Sequence, residues 1–153
     1  MSSATARWFV RQLRRMHGDS LLEIVRTLDN AMNNTSLILV FEAGSKRLLF
    51  PGDAQLENWS AALADAKIRS FLATVDLYKV GHHGSENATP RLGLWEGFAK
   101  RGPKFRTLLS THAGEYNGVP RASLHEALEQ KSELLTTEDF APGELSRTVA
   151  IDL

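Results

Sequence analysis

Two adjacent histidines, His82 and His83, end a short apolar run, Asp76-Leu77-Tyr78-Lys79-Val80, and are flanked by Gly81 and Gly84. Glycines on either side let the backbone turn sharply and come close to a ligand. Upstream, Arg47-Leu48-Leu49-Phe50 stops at Pro51-Gly52 and delivers a carboxylate, Asp53, before Ala54. Imidazoles and a carboxylate at two strand ends are the donor types of a metal centre. The chain has no cysteine, which removes thiolate ligands and disulfides and leaves only histidine and carboxylate donors.

Each of these residues also has a plainer reading. Asp53 could be an ordinary turn residue after Gly52, and the histidine pair a hydrogen-bonded turn. Ser85 could cap the turn that follows or donate to a substrate oxygen. Lys79 is either an outward solvated side chain or a phosphate contact. His112, in the Ser110-Thr111-His112 loop, is a surface residue or lines the same mouth, since loops at one end of an α/β sheet converge. His17 and His125 read as surface or core-edge residues. Trp59, Trp95 and Phe98 stand at helical spacing and read as core anchors.

The positioning elements follow from periodicity. Ala4 to Met16 sets Arg7, Arg11, Arg14 and Arg15 among Trp8, Phe9, Val10, Leu13 and Met16, a helix pattern with a basic side. Gly18 is expected to end that helix, and Asp19 or Ser20 to cap a second one through Leu21, Leu22, Ile24, Val25 and Leu28. Asn30, Asn33 and Asn34 mark a loop. Leu37 to Phe41, a turn at Gly44-Ser45-Lys46 and Arg47 to Phe50 read as a hairpin.

Gln55 to Ala66 has helical spacing, and Ile68 to Leu72 extends or follows it. Leu77 to Val80 is a strand. Thr89 and Pro90 are expected to begin a helix carrying Leu92, Leu94, Trp95 and Phe98, which Gly102-Pro103 stops. Arg106 to Ser110 is a strand, Pro120 leads into a helix with Leu124, Ala127 and Leu128, and Leu134 to Thr136 and Thr148 to Leu153 are closing strands. Strand and helix in alternation predict an α/β arrangement with helices packed on a sheet.

The chain has 153 residues, the size of one ordinary domain. Its 18 basic and 18 acidic residues balance, so net charge makes no case for nucleic acid or an anionic membrane. The longest apolar runs are strand-length, no targeting segment is apparent, and a cytoplasmic chain is the simplest expectation.

Asn33-Asn34-Thr35-Ser36-Leu37, then Leu48-Leu49-Phe50-Pro51-Gly52-Asp53-Ala54, then Leu77-Tyr78-Lys79-Val80-Gly81-His82-His83-Gly84-Ser85 resemble the C-terminal half of a metallo-β-lactamase-fold hydrolase. The likeness is to the branch that includes the hydrolase domain of bacterial DNA-uptake channel proteins. Leu109-Ser110-Thr111 and Gly118-Val119-Pro120 also resemble that branch, so the likeness runs from Asn33 to Leu128. It implies half of an αββα sandwich: a helical segment over 1–32 and a partial metallo-β-lactamase-like domain over 33–153.

The resemblance implies a one- or two-metal site at the strand ends, usually zinc, with manganese as the other candidate, which activates water for attack on an ester, amide or phosphodiester. Asp53 resembles the family's bridging carboxylate and His82 its last histidine ligand. His83 could be the ligand in place of His82, or could stabilise the leaving oxygen. The family's H-x-H-x-D-H signature is missing from the chain.

Two functions are therefore in view. The chain contributes to a metal-dependent hydrolase, with phosphodiester or nucleic-acid substrates suggested by the resembled branch, once another subunit or copy completes the site. Alternatively it is a non-catalytic binding or assembly module that keeps half of the fold, with self-association expected through an apolar sheet face. Nucleic-acid attachment through the Arg7 to Arg15 face is a third expectation.

Overall fold

Leu39-Val40-Phe41-Glu42-Ala43 and Lys46-Arg47-Leu48-Leu49-Phe50 pair as an antiparallel hairpin, β1 (Leu39–Ala43) and β2 (Lys46–Phe50), with Leu39 opposite Phe50 and Ala43 opposite Lys46. The turn between them is Gly44-Ser45, and Gly44 has φ +57°, a conformation side chains rarely adopt. This is a computed structural model, and it describes residues 15, 16, 18–25, 27, 28, 35–102, 104–112, 114 and 118–152.

From β2 onward the sheet is parallel, through β3 (Leu77–Lys79), β4 (Arg106–Leu109) and β5 (Glu133–Thr136), in the order β1-β2-β3-β4-β5. Parallel neighbours require crossovers, and helices fill them. Helices α1 (Leu56–Ala64) and α2 (Ala66–Leu72) join β2 to β3. A wide irregular turn over Arg91–Trp95 leads into α3 (Glu96–Ala99) before β4, and α4 (Ala122–Lys131) precedes β5. Asp65 separates α1 from α2, because its extended backbone ends the first and its carboxylate accepts from the amides of Lys67 (2.6 Å) and Ile68 (3.4 Å) to cap the second.

Register divides the sheet into two faces. Val40, Leu49, Tyr78 and Leu134 point to one of them, where Trp59, Leu63, Leu72, Trp95, Phe98, Leu124 and Leu128 cover them to form the core. The three core anchors expected from spacing, Trp59, Trp95 and Phe98, are all buried there. The indole N–H of Trp59 donates to the Ala88 carbonyl at 2.9 Å, so its polar atom is satisfied.

The other face carries Leu39, Phe41, Leu48, Phe50, Lys79, Leu108 and Leu135. Over its β4–β5 side the C-terminal segment folds back: Phe140, Arg147 and Val149 enclose a small cavity with Lys79, Leu108 and Leu135. Thr137 anchors that segment, its hydroxyl accepting from the Thr111 amide and donating to the Thr111 carbonyl. Over the β1 side Leu39 and Phe41 remain 45% and 52% exposed, with Leu37 just before them at 73%.

Three expectations are corrected. The segment from Pro90 does not start a regular helix: Pro90 is extended, and Leu92 and Gly93 are non-helical, with Gly93 at φ +79°. Thr89 is no cap, because its hydroxyl pairs with the Tyr78 hydroxyl at 2.8 Å. Residues 148–152 form no strand; the Ala150 carbonyl accepts from the Arg106 guanidinium instead of a ladder amide. Gly18, Asp19 and Ser20 are themselves helical. Glycine stops a helix when it takes the left-handed conformation at its end, which Gly18 does not.

The chain divides into two units, Met1–Thr35 and Ser36–Leu153. In the first, residues 15, 16, 18–25, 27 and 28 are helical. Arg7, Arg11 and Arg14 with the apolar residues between them, His17, and Asn30, Asn33 and Asn34 lie outside the described residues, as do Pro103 and Leu153. Among the described residues, no helix is long and apolar enough to cross a membrane.

Candidate functional site

Strands β2 and β3 run parallel and side by side, so the turns that follow them emerge at the same end of the sheet. The turn after β2 is closed by the Ala54 amide donating to the Pro51 carbonyl at 3.1 Å, with Gly52 at φ +57°, and it leaves Asp53 exposed. The His82 amide donates to the Gly52 carbonyl at 3.1 Å. One backbone hydrogen bond thus ties the carboxylate's turn to the histidine turn. The contact is possible because Gly81 has no side chain: a Cβ there would lie 3.2 Å from both the Gly52 oxygen and Pro51 Cγ.

Both histidines sit at positive φ, +41° for His82 and +54° for His83. Such backbone costs free energy and persists where the surroundings hold it. Here the holding bonds are visible. The Gly84 amide donates to the Gly81 carbonyl and the Ser85 amide to the His82 carbonyl, both at 2.9 Å, while the Arg121 amide donates to the Gly84 carbonyl at 2.9 Å.

The two rings have different partners. His82 is half-buried, and its Nδ1 lies 3.2 Å from the Ser85 hydroxyl, which directs Nε2 as the nitrogen available to a ligand. His83 is exposed, and its Nδ1 pairs with the Ser110 carbonyl at 2.7 Å, at the end of β4. A ring N–H must donate to that carbonyl, so Nδ1 of His83 carries the proton. Three strand ends therefore meet at this corner: β2 through Asp53, β3 through the histidines and β4 through Ser110.

Lys79 lies just before the turn on the face away from the helices, beneath the C-terminal segment, and its ammonium donates to the Val80 carbonyl at 3.1 Å. Burial pushes its pKa down, and the negative charge of Asp53 partly offsets this. Tyr78, one residue earlier, is fully buried on the opposite face. Burial pushes its phenol up to about 12, with the Thr89 hydroxyl and the Gly81 backbone opposing.

His112 is exposed and His125 lies elsewhere, 3.6 Å from Glu129 and 3.7 Å from Glu138. Among the described residues no group of three or more histidines and carboxylates is placed to hold a metal ion. Asp53 and His82 offer two donors, whereas a zinc centre takes about three or four protein ligands. The described residues do not fit a complete metal centre.

The sequence reading named the donors but missed what orients them. The carbonyls of Gly52 and Ser110 are backbone atoms that any residue carries, so no side-chain signal marks them. Ser85 had a signal, its spacing three residues after His82, and it contacts that ring where a cap was expected. Against protein-family profiles, characterised proteins and solved structures, the chain gives no match.

Proposed function

We propose that this chain contributes Asp53 and His82 to a metal-dependent hydrolase centre, as the C-terminal half of a metallo-β-lactamase-like sandwich. The remaining ligands would come from a second subunit or another copy. The observation that carries the reading is the hydrogen bond from the His82 amide to the Gly52 carbonyl, which binds together the two turns that bear a carboxylate and an imidazole. The mixed sheet with helices on one face is compatible with half of such a sandwich. Zinc, or manganese, and a phosphodiester or nucleic-acid substrate are suggested by the sequence resemblance alone.

The test is metal content by elemental analysis of the purified chain, beside Asp53→Ala and His82→Ala. Stoichiometric zinc or manganese that both substitutions remove supports the reading. Metal that survives both overturns it. Where the chain alone binds none, metal uptake should appear on mixing with a partner that carries H-x-H-x-D-H, and no uptake there also overturns it.

A second reading, an assembly module without catalysis, is favoured by a different observation: Leu39 and Phe41 stand exposed on the sheet's open side, with exposed Leu37 in the chain just before them. A patch of this kind on an edge strand calls for a covering partner. Both readings require such a partner, and metal content separates them.

A further inference from the structure

A groove of about 470 Å³ runs between the segment from Ser85 to Ala99 and helix α4, within the roughly 300–1,000 Å³ range of small-molecule sites. Trp95, Leu124 and Ala127 give it an apolar lining. At the end next to the histidine turn the two walls are bridged by one ion pair, Arg121 to Glu86 at 3.0 Å. Arg121 is held in place by its own backbone, whose amide donates to the Gly84 carbonyl, and a Cβ on Gly84 would lie 3.0 Å from Pro120 Cβ.

The pair is poorly sheltered. The Arg121 side chain is 49% exposed and that of Glu86 71%, and an ion pair so open to water contributes little to stability. A phosphate group offers a guanidinium more charge and a two-point hydrogen-bonding match, so it can displace Glu86 at small cost. The other cations of the groove do not share the task. Arg91 is 86% exposed and paired with Glu96 at 3.7 Å, and Lys131 lies at the far end of α4, roughly 15 Å along the helix. One phosphate is therefore matched, and the apolar lining is matched to a compact organic body beside it.

We propose that this groove binds a small organic monophosphate, its phosphate on Arg121 in place of Glu86 and its apolar body against Trp95, Leu124 and Ala127. The site needs no metal and stands apart from the Asp53–His82 reading.

The experiment is calorimetric titration of the chain with phenyl phosphate and, separately, with inorganic phosphate, in buffer containing chelator so that metal binding plays no part. Phenyl phosphate is expected to bind about tenfold or more tightly than inorganic phosphate, Arg121→Gln to lose about tenfold of that affinity, and Glu86→Gln to gain severalfold by removing the competitor. Equal binding by the chain and by Arg121→Gln overturns the proposal, as does an absence of preference for the phenyl ester or of any detectable binding. Should Arg121→Gln fail to fold, Glu86→Gln decides alone, since it keeps the arginine and alters only an exposed carboxylate; no gain there overturns the proposal.

Discussion

Gly81 shapes the candidate site through the atom it lacks. Its backbone, φ −70° and ψ 153°, is open to any residue, so the requirement is for space: a Cβ would meet the Gly52 oxygen and Pro51 Cγ at 3.2 Å and Ala88 Cβ at 3.4 Å. Gly81→Ala is expected to force the two turns apart and to cost about 1–3 kcal/mol, measured by urea unfolding. An unchanged midpoint would mean that the turns yield without loss. Two residues before Val80, Tyr78 gives a second test. Tyr78→Phe removes the hydroxyl bonded to Thr89 and should cost about 1 kcal/mol near neutral pH. Because the folded-state pKa of Tyr78 is raised from 10.0 to about 12, the folded protein keeps a proton that the unfolded chain releases in that window. That stability is complete below pH 10 and is lost as pH rises through about 12. The gap between the two proteins should therefore hold constant below pH 10 and narrow above it. Lys79, pushed downward by burial, has the opposite slope but is common to both proteins and cancels. At this scale the sequence made donors legible, since Asp53, His82 and His83 declare their chemistry by type. It concealed the carbonyls and the distant Arg121 amide that hold them, because backbone atoms carry no residue signature.

Among the elements, the break between α1 and α2 rests on one side chain. Asp65→Ala removes both acceptor contacts at the start of α2 and is expected to destabilise by about 1 kcal/mol. Thermal melting that matches the unsubstituted protein would show that packing of Leu72 alone holds this helix. The C-terminal segment has a comparable anchor in Thr137, whose hydroxyl serves both the amide and the carbonyl of Thr111. Thr137→Val keeps the shape and removes both bonds, so amide exchange over residues 138–150 should accelerate while the sheet stays protected. Strands were the most legible elements, because apolar runs bounded by Gly44, Gly52 and Gly81 punctuate themselves. The stretch around Pro90 was not, since Pro90 as a first helical residue with Leu92, Leu94, Trp95 and Phe98 after it fits a helical template that Gly93 at φ +79° interrupts. Thr148 to Leu153 also passed for a strand on composition, yet what decides is an available ladder partner, and the Arg106 guanidinium takes the Ala150 carbonyl.

For the whole molecule the decisive asymmetry is between the two faces of the sheet. One is closed by helices α1 to α4, whereas the other is covered by the C-terminal segment at β4 and β5 and left open at β1, an edge strand of the order. Phe41 and Phe50 meet edge to face there at 5.6 Å, and Leu37, Leu39 and Phe41 present apolar surface next to an edge that pairs with no further strand among the described residues. Covering one such side chain fully is worth about 1.5–3 kcal/mol, so a few together favour association over exposure. The chain on its own is therefore expected to sediment above its monomer mass of 17.0 kDa, and Phe41→Glu to return it toward the monomer by burying a charge in any contact formed there. Phe41 points away from the helix-covered core, so the substitution should cost a diluted sample only the Phe50 ring contact, about 1 kcal/mol, a small fall in melting that separates lost association from lost folding. A chain that sediments as a monomer at every concentration would leave the open face without a self-partner. On the proposed reading a different polypeptide would then cover it, and would also supply the ligands that Asp53 and His82 lack.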